Sequence, residues 1–140
     1  MCQNCLVKTI HHAQHHFGWD NSLSPVLHVA SGSQLEFHCL DAANGWFNAG
    51  STAADIPTLP FDKLNPVSGP VYVEGAQPGD ALKVTLESFR PSGFGWTANI
   101  PGFGLLADQF SDPALTLWQY DRQGLTPCAF GRYGRVPLKP

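Results

Sequence analysis

Asn65-Pro-Val-Ser-Gly-Pro-Val-Tyr-Val-Glu-Gly-Ala-Gln-Pro-Gly-Asp80, running on into Ala81-Leu-Lys-Val-Thr-Leu-Glu87, reads as strand, turn, strand with a carboxylate in between. Val71 and Val73 share one face of an extended segment and Tyr72 takes the other. Leu82, Val84 and Leu86 then alternate with Lys83, Thr85 and Glu87 at the period of two that a half-buried strand requires. Gly75, Pro78 and Gly79 supply one fixed φ and two permissive backbone positions, the chemistry of a tight connection rather than of a helix cap. The spacing predicts an antiparallel pair, with Glu74 at the end of its first strand.

Composition agrees with a fold built from short strands. The 14 Gly and 12 Pro disfavour helix interiors. Charged residues make up 14% of the chain, against about a quarter in an average domain. At 140 residues the chain is sized for one domain with one core. So low a charge implies that part of the surface is covered, either by further chain or by neighbouring subunits, and a homo-oligomer is expected. The 8 basic residues are scattered and the net charge is −3, which leaves no stripe able to neutralise several phosphates and argues against nucleic acid. No run approaches the ~18 apolar residues of a spanning helix, and the N-terminus lacks the layout of a secretory signal, so no membrane is expected and the cytoplasm is the expected location. Cys2, Cys5, Cys39 and Cys128 do not form a disulfide framework at this size and are expected as thiols.

Along the chain, residues 1–14 are expected to be a mobile leader running into a first edge strand at Leu6–Ile10, with the β domain over 15–140. Pro25–Ala30 and Gln34–Leu40, joined by Ser31-Gly-Ser33, predict a hairpin with Leu35, Phe37 and Cys39 on one face and Gln34, Glu36 and His38 on the other. From Asp41 to Asn65 no periodicity persists, and so long an irregular segment is expected to be a functional, substrate-side loop. Phe89 to Asp112 interleaves Gly93, Gly95, Gly102 and Gly104 with aromatic residues, as an irregular apolar wall does. Gly104–Phe110 has room for a helical turn or two. Ala114–Tyr120 predicts a further strand with Leu115 and Leu117 on one face. The architecture expected is all-β, a β-sandwich of jelly-roll type with long loops.

Gly69-Pro-Val-Tyr-Val-Glu-Gly-Ala-Gln-Pro-Gly-Asp80 resembles a signature of the acetamidase/formamidase family, hydrolases of short amides to a carboxylate and ammonia. His16-Phe-Gly-Trp-Asp-Asn21, Ser24-Pro-Val-Leu-His-Val29, Gly32-Ser-Gln-Leu-Glu-Phe37 and Leu40-Asp-Ala42 follow the order and spacing of that family's N-terminal half, so the likeness runs over residues 15 to 121. Two departures stand out: Ser33 where the family often has Asp, and Trp46 where Gln is common. The resemblance implies a β-sandwich, a small linear amide as substrate, and a longer chain, because the family's Asp/His/Gly/Glu-rich motif falls beyond Pro140. The chain is therefore expected to be the N-terminal portion of such an amidase, its site completed by a C-terminal half.

Amide hydrolysis needs a nucleophile, a polariser for the carbonyl and an acid for the departing ammonia. There is no Gly-x-Ser-x-Gly, and Ser68 sits in a Pro-Val-Ser-Gly-Pro turn, so a metal-assisted or carboxylate-led reaction is the better reading. A divalent metal such as zinc is the cofactor this implies. Glu74, between an apolar strand and a Gly, projects a carboxylate from a sheet end where a cleft desolvates it. Asp41 closes one strand and opens the long loop. These two are the candidate catalytic residues, and the alternative for each is ordinary: a solvated strand-end acid for Glu74 and a turn former for Asp41. Trp46 and Trp96 are the candidates for binding a small amide, with core packing as their alternative. Asp20 and Asp80 are assigned to turns. His28 and His38, on strands, are read as surface residues, and Cys128 lacks a histidine near it in sequence. Cys2 and Cys5 with His11, His12, His15 and His16 give a rival zinc-site reading. A noncatalytic β-sandwich module that packs in an oligomer or binds a small ligand is the alternative function.

Overall fold

The computed structural model describes residues 6–122 and the backbone of two further strands, Cys128–Phe130 and Gly134–Val136. Among the described residues there are ten strands, two 3-10 helices and no α-helix, so the chain is all-β as its glycine and proline content requires. The strands pair two by two into five ladders. They divide between two compact units, one formed by the residues up to Trp46 with Leu59–Leu82, the other by Phe47–Thr58 with the residues from Lys83 onward.

In the first unit β1 (Lys8–Ile10) runs parallel to β4 (Leu35–Phe37), with Ile10 opposite Phe37. β2 (His15–His16) runs antiparallel to β5 (Val67–Ser68). β3 (Leu27–Val29) runs parallel to β6 (Val71–Val73), with Val29 opposite Val73. Both expected hairpins are thereby corrected. Ser33 N–H does donate to Ala30 O across the predicted turn at 3.2 Å, yet β3 and β4 leave it for separate partners. Alternation fixes which face of a strand is apolar but not which strand lies beside it. The choice here falls where Ile10 and Val29 become buried.

Val71–Val73 likewise does not pair with Leu82–Leu86. After β6 the chain makes two turns in succession, Ala76 N–H to Val73 O at 3.2 Å and Asp80 N–H to Gln77 O at 3.0 Å, where a hairpin needs one. The Asp80 carboxylate accepts from Gln77 N–H at 2.8 Å and so closes its own turn, as expected. Residues 81–91 belong to no strand or helix.

The second unit contains the longest ladder, β7 (Phe94–Asn99) antiparallel to β8 (Ala114–Gln119). β8 follows the predicted strand, with Leu115 and Leu117 half-buried on one face. β7 corrects the expected irregular wall. Gly95 lies opposite Trp118, and the space a side chain would take at Gly95 is bounded by the Trp118 and Tyr120 rings, so alternating Gly and aromatic residues here are a small-to-large fit across a sheet. Trp118 Nε1–H donates to Thr97 Oγ1 at 2.9 Å. β9 (Cys128–Phe130) and β10 (Gly134–Val136) form an antiparallel pair. Gly104–Phe110 makes turns only, Gln109 and Phe110 N–H both donating to Leu106 O.

The segment Asp41–Asn65 is not structureless. It holds 3-10 helices at Ala53–Thr58 and Phe61–Lys63 and supplies Ala43, Phe47, Ile56 and Leu59, four of the six buried apolar residues described. Thr52 and Asp55 form a capping box: Thr52 N–H donates to Asp55 Oδ2 at 2.7 Å and Ala54 N–H to Thr52 Oγ1 at 3.3 Å. That Thr-x-x-Asp signature was present in the sequence, and it is what orders the first helix.

Gly69 joins β5 to β6 at φ +117, and a Cβ there meets Val71 N at 3.2 Å. Its N–H also donates to Gln14 O at 2.9 Å, holding β2 in register. Gly69→Ala is expected to lower the unfolding free energy by about 1–3 kcal/mol, read as a lower urea midpoint at unchanged slope.

Candidate active site

Asp41 is exposed and organises the turn that follows β4. Its Oδ1 accepts from Ala43 N–H at 2.8 Å and Gly45 N–H at 3.2 Å. Asn44 N–H donates to Asp41 O and Trp46 N–H to Ala43 O, while Asn44 takes a left-handed φ of +55 that Asn tolerates. Asn65 N–H donates to Ala42 O at 2.8 Å and ties the far end of the long segment back to this turn. Asp41 is thus a turn former through one oxygen, which leaves its other oxygen without a bond among the described residues.

Glu74 directly follows β6, and its N–H continues the ladder by donating to Val29 O at 2.8 Å. Its side chain is exposed and has no hydrogen-bond or ion-pair partner among the described residues, and those residues form no desolvating cleft around it. Asp41 and Glu74 lie in the same unit, and no bond joins them. Beside Glu74 the β3–β6 ladder carries His28 over Tyr72 with ring centroids 5.0 Å apart, and Lys8 Nζ–H donates to His28 O at 3.1 Å.

The two tryptophans fall in different units. Trp46 is exposed at the end of the Asp41 turn, in the first. Trp96, on β7 in the second, packs against the buried Phe47 ring at 4.8 Å. Phe47 in turn lines an open cleft of about 790 Å³ together with Asn48, Phe94, Gln119, Tyr120 and Arg122. Arg122 Nε–H donates to Ser92 O at 2.6 Å, which fixes the guanidinium at the cleft rim. Sequence reasoning missed this cleft because its walls come from three separate stretches. The Phe47–Asn48 pair within the loop assigned to substrate was its one local sign.

The histidine-rich segment is partly structural. His11 and His38 meet edge to face at 5.3 Å, His38 Nε2 lies 3.2 Å from Glu36 Oε1, and His15 Nδ1 lies 2.7 Å from His12 O. Cys2 and Cys5 of the rival zinc reading, and the Cys128 side chain, lie outside the described residues. Among the described residues no group of three or more His, Cys, Asp or Glu is arranged to hold a metal ion.

Asp20 is held in a turn of its own, its Oδ1 accepting from Ser22 Oγ–H at 2.7 Å and Ser22 N–H at 2.9 Å. The Ser22 hydroxyl first, then the Ser22 N–H and the charge of His16, hold its carboxyl below the ordinary carboxylate range against a small opposing desolvation. Because the folded group binds its proton less readily than the unfolded one, its stabilising contribution is present above the ordinary Asp range and lost as pH falls through the depressed folded value. Ser22→Ala is expected to raise the Asp20 midpoint in a carboxyl NMR titration.

A profile of the Acetamidase/Formamidase family matches residues 6–127. The chain belongs to this family. The match starts at residue 6, inside the segment expected to be a leader, consistent with β1 being part of the fold. The formamidase of Methylophilus methylotrophus is 29% identical over 113 residues, covering 76% of this chain and 28% of that protein. The acetamidase of Mycolicibacterium smegmatis is 27% identical over 124 residues, covering 79% of this chain and 30% of that protein. The chain thus spans less than a third of the length of these curated relatives. Among solved structures, a recombinant predicted acetamidase/formamidase from Thermoanaerobacter tengcongensis superposes with a TM-score of 0.81 at 23% identity, over 94% of this chain and 42% of that one. The acetamidase from Bacillus halodurans gives 0.71 at 22%, over 92% and 42%. Those likenesses establish the family's fold for this chain.

Proposed function

We propose that the chain is the N-terminal portion of an amidase that hydrolyses small linear amides of the formamide and acetamide type to a carboxylate and ammonia. The observation that carries this reading is the family match over residues 6–127, with relatives named formamidase and acetamidase. Glu74 is the proton-transferring group. Its carboxylate takes a proton from water as the water oxygen bonds to the amide carbon, and the proton passes to nitrogen as the C–N bond breaks, giving the acid and ammonia. Asp41 orients the amide through the oxygen its turn leaves unused. Trp46 and Trp96 are assigned to substrate binding. The described residues do not fit a metal by themselves, so no step is routed through zinc. Work in the cytoplasm is part of the same proposal; no helix among the described residues is long and apolar enough to cross a membrane.

The exposed position of both carboxylates favours a second reading, a module without catalysis of its own. Ammonia release from formamide and acetamide separates the two readings. It is measured on the 140-residue chain and on a chimera in which the chain is joined to the part of the Mycolicibacterium smegmatis acetamidase C-terminal to its matched segment. Release by either supports the amidase; release by neither, with the chimera folded, supports the module.

A further inference from the structure

The cleft of about 790 Å³ belongs wholly to the second unit, whereas Asp41 and Glu74 belong to the first. Its volume lies in the range of about 300–1,000 Å³ over which proteins bind small molecules. Three of its lining residues are aromatic. The Phe47 ring is buried and packed against Trp96, while Phe94 and Tyr120 are half-buried and leave ring surface exposed. A few polar groups stand among these walls, the composition that gives a ligand both a place and an orientation.

Arg122 decides which ligand. Gly93 has φ +84, and a Cβ there would meet Arg122 Cγ at 3.0 Å and Nε at 3.1 Å, so the arginine lies along a backbone that has no side chain to obstruct it. Tyr120 N–H donates to Gly93 O at 3.0 Å and holds that backbone in place. The 2.6 Å bond to Ser92 O engages Arg122 Nε and leaves the two terminal amino groups without a partner among the described residues. Such a fixed, planar fork of N–H donors is what a carboxylate accepts bidentately. Among the described lining residues Asp121 is the one other charged group. One carboxylate beside one guanidinium leaves no excess positive charge for a dianion such as a phosphate monoester, whereas a monoanion needs only the one fork. A carboxylate with an aromatic body uses both the fork and the rings; formate or acetate uses the fork alone. We propose that this cleft binds a monocarboxylate with an aromatic body, its carboxylate on Arg122 and its ring against Phe94 and Tyr120. This inference does not depend on amide hydrolysis.

The probe is phenylacetate, titrated into the 140-residue chain and followed by calorimetry and by the Arg122 Nε–H signal in NMR spectra. Saturable binding is expected, with the Arg122 signal moving in step. Phenylethanol keeps the ring and loses the charge, and acetate keeps the charge and loses the ring; each is expected to bind at least about tenfold more weakly than phenylacetate. Arg122→Gln is expected to weaken phenylacetate at least about tenfold while phenylethanol stays within about threefold. Far-ultraviolet circular dichroism checks that the variant is folded, and the comparison of the three ligands on the unmodified chain needs no variant. Absence of saturable binding overturns the proposal. So does equal affinity for phenylacetate and phenylethanol, equal affinity for phenylacetate and acetate, or phenylacetate binding that Arg122→Gln leaves unchanged. Binding by the 140-residue chain that is lost in the folded chimera assigns the cleft to contact with further chain and overturns the site as well.

Discussion

Ile10→Ala is expected to lower the unfolding free energy by about 2–5 kcal/mol, the largest stability loss of any single truncation in the first unit. Ile10 is fully buried at the end of β1, opposite Phe37 in β4. It is also one of only six buried apolar residues described, shared between two units. A domain of this size is stable by about 5–15 kcal/mol, so the deletion of one side chain takes a large share of what holds this unit. Urea unfolding followed by circular dichroism reads the effect. Leu6→Ala is the internal control: Leu6 is exposed, and its truncation should change stability by less than about 0.5 kcal/mol. Equal effects at the two positions would show that β1 does not anchor the fold.

Glu74→Gln, made in the chimera, is expected to reduce the rate of ammonia release by about 10²–10⁴-fold, the contribution of a positioned acid–base group, and Asp41→Asn, which replaces the orienting oxygen by an amide nitrogen, by about 10²-fold, the cost of a misplaced substrate. The amide replacements are chosen to preserve structure. The side chain introduced by Asp41→Asn retains an Oδ1 that accepts from the N–H groups of Ala43 and Gly45, so the turn persists. The Glu74 side chain has no partner among the described residues to lose, and its N–H bond to Val29 O is untouched by the change. Asp41→Ala adds the contrast, because it removes the turn acceptor as well and costs about 1 kcal/mol of stability besides. If Asp41→Asn retains activity while Asp41→Ala loses both activity and stability, Asp41 is a turn former only. If Glu74→Gln stays within about threefold of the unmodified chimera, well short of an acid–base contribution, the proton transfer lies elsewhere.

Much of the strand content was legible in the sequence because alternation depends on neighbours two positions apart. β8, the start of β6 and the positions of β3 and β4 follow directly from Leu115 and Leu117, from Val71 and Val73, and from the runs around Leu27 and Leu35. Partner choice was not legible, since Val29 beside Val73 and Ile10 beside Phe37 are decided by burial across long stretches of chain. The loop 41–65 misled for a different reason. Its buried apolar residues fall in two isolated pairs, Ala43 with Phe47 and Ile56 with Leu59, too short for a sustained period, so their burial could be seen only in three dimensions. Asp41 and Glu74 were legible as carboxylates at element ends. What surrounds them was not, because a pocket gathers residues that no local pattern connects.

The crossed pairing of the first unit sets a timetable for its folding. β1 waits for β4, from residue 8 to residue 35. β3 waits for β6, from 27 to 71, and β2 for β5, from 15 to 68. Contacts so distant along the chain must close large loops before they are rewarded, and topologies of that kind fold slowly. During synthesis β1, β2 and β3 therefore leave the ribosome well before their partners exist. The nascent chain spends that interval with unpaired edges, the period in which a chaperone would be most useful to it.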